Sequence, residues 1–379
     1  MNMCGRIHIA PVSSPAQRRE FFAFPRQIYA GDPVWIEPLL AERKAQWAPR
    51  HPFFAHAQAQ AFIARRADRP VGVISAQIDQ LQPPEQGRKL GYFGQFECID
   101  DSAVALALVG AAEDWLRERA CSWMRGPYDL GINQSCGLLV EGRETPPMIM
   151  MGHAPAYYED LVRACGLAPE MDLLAYLLPP DFEAPAAMRR LLRRAQGRVR
   201  FRPLEAARFD GEIEILRGLF NDAWADNWGF VPLTEAEFRH TGREMKKILK
   251  LRHTCIAELD GQPAGFIVAL PNINDLIADL HGRLLPIGWA RLLWRLVRGQ
   301  ARSARVPLMG VGREFQRGPL GAAISFGMID RVRQALHADG VSEVELSWIL
   351  ETNQGMKSMI AAMGGRMYKR YRMFGKSLD

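Results

Sequence analysis

VPLMGVGREFQRGPLGAA (306–323), then VELSWILETN (344–353) and MKSMIAAMGGRMYKRYRMFGK (356–376), is the stretch that decides the fold. It reads as strand, glycine-bearing turn, helix, strand, helix, strand. The first strand covers 308–311. The helix after it, 320–338, keeps Leu320, Ile324, Met328, Val332, Ala335 and Leu336 on one side. Pro319 suits the first helical position, where its missing N–H is no loss. A loop of backbone N–H groups opening a helix is a ready site for pyrophosphate. In the next strand, period-2 alternation puts Glu345, Ser347, Ile349 and Glu351 on one face, and Val344, Leu346, Trp348 and Leu350 on the other.

Working back from this stretch, CIAELDGQPAGFIVALPNIN (255–274) reads as a hairpin turned at Asp260-Gly261. The segment 200–230 supplies an earlier strand and helix, followed by an aromatic loop. A break falls in 177–203, where Pro179 and Pro180 end a strand and Pro185 opens a short basic helix. Before the break the same order occurs: strand 91–100, a helix capped by Asp101 or Ser102, strand 121–129, helix 154–166 and strand 172–178. Its period is far above the roughly 20–50 residues of stacked repeats, so the chain reads as a duplication at domain scale. The expected division is a first domain at 1–180 with a long insertion at 125–158, a basic connecting helix at 181–199, and a second domain at 200–379.

Composition fits a globular enzyme. The 379 residues exceed one ordinary core, and hydrophobic content of 48% with 24% charged residues is typical. No apolar run reaches the roughly 18 residues of a membrane span, and the first residues carry no secretory pattern. Six cysteines (Cys4, Cys98, Cys121, Cys136, Cys165, Cys255) lack CxxC spacing, which argues against zinc and points to reduced thiols in a cytoplasmic protein. Net charge of +6 suits an anionic substrate, an anionic membrane face or nucleic acid alike. No nucleic-acid module is present.

The order of elements, with Gln316, Gly321 and Asn353 in place, resembles the GNAT acyltransferases. Over most of its length the chain resembles the bacterial group with two GNAT-like halves, through GPYDLGINQSCGLLVEG, PPMIMM, FNDAWADNWGFVPLT, PNIND and SWILETN. The resemblance implies an α/β (α+β) fold of two GNAT-like domains, each a mixed central sheet flanked by helices. It also implies acyl-CoA as co-substrate, no metal, and transfer of a long acyl chain to the amine of a sphingoid base. Acetylation of a small amine, or a degenerate pair serving as a binding module, are the competing readings. Pyrophosphate and pantetheine are expected against Val311, Gly312, Arg313, Gln316, Arg317, Gly318, Leu320, Gly321, Ala322 and Asn353, although Pro319 removes one donor.

Acyl transfer to an amine needs a proton acceptor, and Glu345 and Glu351 are the candidates. The tyrosine that many GNAT enzymes use as acid is replaced by Ile360, so Tyr368, Tyr371 or solvent is left to act. Asn353 also suits a helix cap. Met356, Met359 and Met363 form a row that packs a core or lines an acyl slot. The first half has no phosphate loop, since CIDDSAV carries two carboxylates there. Its insertion offers Tyr128, Asn133, Glu141 and His153 toward an acceptor, and Trp228 and Phe230 suit a long apolar one. Finally, 282–299 is amphipathic, with Arg291, Arg295 and Arg298 on one face. Such a helix lies in an anionic membrane interface, here through 287–298, or packs with its basic stripe outward.

Overall fold

The computed structural model describes residues 5–379, so Cys4 and the first residues of the start read for a leader lie outside it. Contacts group the chain into two units. One runs to Leu173 and takes in His281–Leu284 and Lys369–Asp379; the other is Leu174–Leu280 with Leu285–Tyr368.

The first unit holds β1 (Ile7–Pro11), β2 (Ala57–Arg66), β3 (Arg69–Asp79), β4 (Leu90–Cys98), β5 (Trp123–Gly126), β6 (Leu138–Glu141) and the start of β7 (Ala168–Leu178). Strands β1 to β4 pair in order, antiparallel, and β4 pairs with β5 in parallel. A parallel pair needs a crossover, and the helix Ser102–Arg117 supplies it. Asp101 caps this helix by accepting from the N–H groups of Ala103 and Val104. Val104, Leu108, Ala112 and Leu116 are its buried stripe.

The second unit repeats that plan. Strands β8 (Val199–Arg202), β9 (Thr254–Leu259), β10 (Gln262–Pro271) and β11 (Ser303–Val311) pair antiparallel, and β11 pairs with β12 (Glu343–Leu350) in parallel. The crossover is the helix Pro319–Ala338, with Pro319 in its first turn. The β9–β10 turn has positive φ at both Asp260 and Gly261, as the sequence leads one to expect. Ile324, Met328, Val332 and Leu336 of the crossover helix join Ala257, Ile267, Val306 and Val344 of the sheet in one core. The basic segment read as a connector is the helix Ala186–Ala195, whose Met188 is fully buried in that same core.

The last strand, β13 (Arg366–Ser377), begins in the second unit and from Lys369 is counted with the first. There it pairs antiparallel with β5, from Phe374 opposite Gly126 to Ser377 opposite Trp123, and with β6 at 370–372. The fold class is the one expected: mixed sheets flanked by helices, built twice.

Candidate active site

The pairing of β11 with β12 runs from Ser303 opposite Glu343 to Val306 opposite Leu346. The next residue, Pro307, has no N–H to continue a ladder. On its other side β11 stays paired with β10 as far as Val311. The edge of 307–311 that faces away from β10 therefore has no strand partner among the described residues.

That edge leads into the expected phosphate loop. Gly318, at φ 99°, is the N-cap of the crossover helix, and no side chain caps it. The first helical bond is Ala322 N–H to Gly318 O, 3.3 Å. The N–H groups of Leu320 and Gly321 thus sit among the orphan donors of a helix start, where an anion is favoured. A Cβ on Gly321 would lie 1.8 Å from the Phe315 carbonyl oxygen, so only glycine lets the loop fold back this closely. The loop's other polar groups hold it in place. Gln316 donates its amide to Ala223 O at 2.9 Å and Val311 O at 3.1 Å. Asp222 accepts the Arg313 N–H at 2.8 Å, and Asp226 takes the Arg313 guanidinium at 2.7 Å. Arg317 is exposed. Asn353 accepts from Met356 N–H at 3.0 Å and caps the helix Gln354–Ala362.

Glu345 lies on β12 with its side chain fully buried. Ser347 donates to one carboxylate oxygen at 2.5 Å, Arg305 approaches the same oxygen at 3.1 Å, and Tyr368 donates to the other. Arg305 is itself fully buried and stacks over Trp348 at 4.5 Å. The strand period placed Glu345 and Ser347 on one face. Arg305, forty positions away on β11, was not identified from sequence, because ion pairs across strands leave no local signal. Glu351 sits partly exposed just beyond β12, where its carbonyl accepts from Lys357 at 3.0 Å. Tyr371 belongs to the first unit, buried, with its hydroxyl donating to Gly152 O at 3.3 Å. Ile360 is fully buried, Met363 nearly so, and Met356 and Met359 pack on the same core, so the methionine row is core packing. Phe230 packs on Phe220 at 5.9 Å, which in turn stacks on Trp224; Trp228 lies partly exposed nearby in sequence.

The corresponding gap of the first unit is filled by its own chain. Parallel pairing of β4 and β5 ends at Tyr92 opposite Arg125. Beyond it, the Tyr128 N–H donates to Phe93 O at 2.8 Å, and Gln77 donates to Tyr128 O at 3.2 Å. A Cβ on Gly94 would meet Tyr128 O at 1.5 Å. The insertion therefore plugs the gap with main chain, and Tyr128 is buried. Asn133 is partly buried, Glu141 is exposed and paired with Arg370 at 3.0 Å, and His153 binds Asp32 at 2.9 Å. Burial pulls the His153 imidazole below its ordinary value, against Asp32.

The amphipathic segment is a helix at Gly288–Val297 that exposes its apolar side along with Arg291 and Arg298, which runs against the packing reading with only the basic stripe outward. Arg291 and Arg295 are held by Asp279 at 2.8 and 2.6 Å, Arg295 also donates to Leu276 O, and Arg298 stacks on Trp294 at 4.6 Å. Besides Arg291 and Arg298, the exposed surface is apolar: Leu285 (79%), Ile287 (65%), Trp289, Leu293, Trp294 and Val297. An acidic anchor outside the helix, invisible to helical periodicity, decides the orientation.

Among known proteins, no family model matches the chain. It is 45% identical over 375 residues to the bacterial ceramide synthase of Caulobacter vibrioides (strain NA1000 / CB15N), covering 98% of each chain. It is 43% identical over 361 residues to protein YghO of Escherichia coli (strain K12), covering 95% of this chain and 93% of that one. Among solved structures, a tandem GNAT protein from the clavulanic acid biosynthesis pathway superposes over 99% of both chains, with a TM-score of 0.54 and 12% identity. A GCN5-related glucosamine N-acetyltransferase region of a fungal β-N-acetylglucosaminidase gives a TM-score of 0.61 at 14% identity, over 98% of this chain and 38% of the other. These structural likenesses concern the fold.

Proposed function

Because the chain belongs to the family of the bacterial ceramide synthase, we propose that it is an acyl-CoA-dependent N-acyltransferase that moves a long acyl chain to the primary amine of a sphingoid base. The observation that carries the reading is the open edge of 307–311 running into an uncapped helix start at Gly318. A strand edge offers main-chain groups to the amides of pantetheine, and orphan N–H groups suit its pyrophosphate. The residues assigned to acyl-CoA are Val311 and Gly312 at the end of that edge, Leu320, Gly321 and Ala322 at the helix start, and Arg317 beside them. Gln316, Arg313 and Asn353 serve by shaping the loop and the helix caps.

In the reaction, the acceptor amine gives up its ammonium proton and attacks the thioester carbonyl; the thiolate then leaves and takes a proton. Glu345 is saturated by Arg305, Ser347 and Tyr368. It therefore serves to fix Tyr368, while Glu351, near the surface, is the better proton acceptor in this unit. The lipid acceptor is met at a membrane by the apolar side of Gly288–Val297, through insertion of Leu285, Ile287, Trp289, Leu293 and Val297. No helix among the described residues is long and apolar enough to cross a membrane.

The test is turnover of hexadecanoyl-CoA with a long-chain sphingoid base, followed by mass spectrometry of the amide. An N-acyl product that forms faster than with short soluble amines is expected. Acetylation of small amines alone, or no product with any amine, would overturn the reading.

A further inference from the structure

The helix Ala186–Ala195 turns a basic face outward. Residues 181–200 hold six arginines against two acidic residues. Met188 and Ala195 are buried, and Leu191 and Leu192 pack on the core of the second unit, so this side of the helix looks inward. Arg190, Arg193 and Arg194 stand on the opposite side, at i, i+3 and i+4, and are exposed. Among the described residues no carboxylate lies within 4.0 Å of any of the three. Arg189 reaches Glu183 at 3.3 Å. Arg198 and Arg200 are held loosely, at 3.5 Å from Asp260 and 3.8 Å from Glu258, with both guanidiniums well exposed. Like charges at helical spacing repel, so the arrangement works against the helix unless an anion meets it.

The patch has a definite place in its unit. Arg333 of the crossover helix stacks over Phe182 at 4.7 Å, so the segment sets out beside the later turns of that helix. It finishes at the β9–β10 turn, where the Asp260 N–H donates to Arg198 O at 3.3 Å and Val199 lies opposite Leu259. From that turn β10 leads to Ala264, whose carbonyl accepts the Gly312 N–H of the expected phosphate loop at 2.9 Å. The last arginines and that loop therefore share one end of the sheet. The apolar helix Gly288–Val297 belongs to the other end. It follows Pro271, where the Asn272 N–H donates to Ser303 O at 2.9 Å, and Leu276 O and Asp279 anchor its Arg295. The ten residues of β10 set the two ends roughly 30 Å apart. A membrane that takes up the apolar helix thus leaves the arginine end of the unit to a soluble partner.

We infer that Arg190, Arg193 and Arg194 form the docking surface for a small acidic carrier protein that presents the acyl chain on a phosphopantetheine arm. The inference rests on the proposed reaction and names a second donor for it. The arm of such a carrier repeats the part of acyl-CoA assigned to the open edge and the helix start: a phosphate, two amides and a thioester. The carrier's own surface takes the place of the nucleotide. Carboxylates on that surface meet guanidiniums, whose planar fork suits them through paired hydrogen bonds. The chemistry is unchanged. The amine nitrogen forms the amide bond and the C–S bond breaks. Of the two protons that the ammonium sheds, one ends on the carrier's thiol and the other reaches solvent.

The test compares two hexadecanoyl donors, CoA and a bacterial acyl carrier protein, with the same sphingoid base. It uses the full chain and a triple variant, Arg190→Glu with Arg193→Glu and Arg194→Glu. Binding of the loaded carrier is measured separately by fluorescence anisotropy, with no amine present. The parent should bind the carrier and use both donors. The variant should lose about 10- to 100-fold in carrier binding and in kcat/KM with the carrier, and about 0.5 M salt should do the same to the parent. Turnover of hexadecanoyl-CoA should be unchanged in the variant, which reports that the chain is folded. No binding of the carrier by the parent, unchanged carrier binding in the variant, or equal losses with both donors overturns the surface; equal losses would give the arginines to the phosphates of CoA. Lost co-sedimentation with anionic liposomes beside unchanged carrier binding would give them to a membrane and overturn it too. Carrier binding that the variant loses, in a parent making no N-acyl product from either donor, would sustain the surface and refute the proposed reaction.

Discussion

Replacing Glu97 by Gln should make the protein more stable, and only at the higher end of the pH range. Burial raises the Glu97 carboxyl to about 7 from an ordinary value of 4.5, against the opposing effects of Tyr158, Arg43 and Tyr29. Below about pH 4.5 both folded and unfolded chains hold the proton, and the group contributes nothing. Between about 4.5 and 7 the unfolded chain ionises while the folded one does not, so stability falls as pH rises. Above 7 the full cost, about 3 kcal/mol, is in place. Gln keeps an acceptor for the Tyr158 hydroxyl and never ionises. The variant should therefore gain up to about 3 kcal/mol at pH 8 and almost nothing at pH 4.5. For a unit of this size that is a rise of roughly 5–10 °C in the melting transition of the first unit. Urea unfolding followed by tryptophan fluorescence at the two pH values measures it. A variant less stable than the parent at pH 8, or a gain equal at both pH values, would refute the reasoning.

Four further outcomes follow from other contacts. Gly321→Ala places a methyl against Phe315 O, so acyl-CoA affinity should drop with a stability loss of about 1–3 kcal/mol from overpacking; calorimetry showing unchanged affinity would remove the phosphate-loop assignment. Glu345→Gln breaks a fully buried pair with Arg305 and should cost about 3–5 kcal/mol of stability. Glu351→Gln should leave the melting temperature alone while lowering the rate by roughly 10²–10⁴, and full activity in that variant would place the proton acceptor outside the second unit. Trp289→Glu with Leu293→Glu should abolish co-sedimentation with liposomes, whereas 0.5 M salt should leave the parent's binding largely intact, since apolar insertion is not screened; salt-sensitive binding that survives the double change would return the contact to the arginines.

What the sequence disclosed was local. The Asp260-Gly261 hairpin, the Pro319 helix start, the Asn353 cap and the shared face of Glu345 and Ser347 each follow from a rule acting over a few residues. The doubled order of strands and helices was legible for the same reason. What escaped depends on partners distant in the chain. Arg305 beside Glu345, Asp279 beneath Arg295, and Tyr128 lodged against Gly94 have no periodic signature. The amphipathic pattern at 288–297 gave the helix, but not that its apolar side would be left uncovered. Glu97 was passed over because it looked like an ordinary strand residue; only its enclosure sets it apart.

The last strand sets the order of events during synthesis. Residues 374–377 close the edge of a sheet whose other strands left the ribosome some 250 residues earlier. Until they arrive, β5 presents an unpaired edge, the kind of surface that invites pairing with a foreign strand. The second unit meanwhile can gather nearly all of its own strands as they emerge. Loss of 374–377 would therefore strike the part of the chain made first. Nascent chains halted before 374 would be candidates for chaperone capture or proteolysis, although the other strands of that sheet are already made.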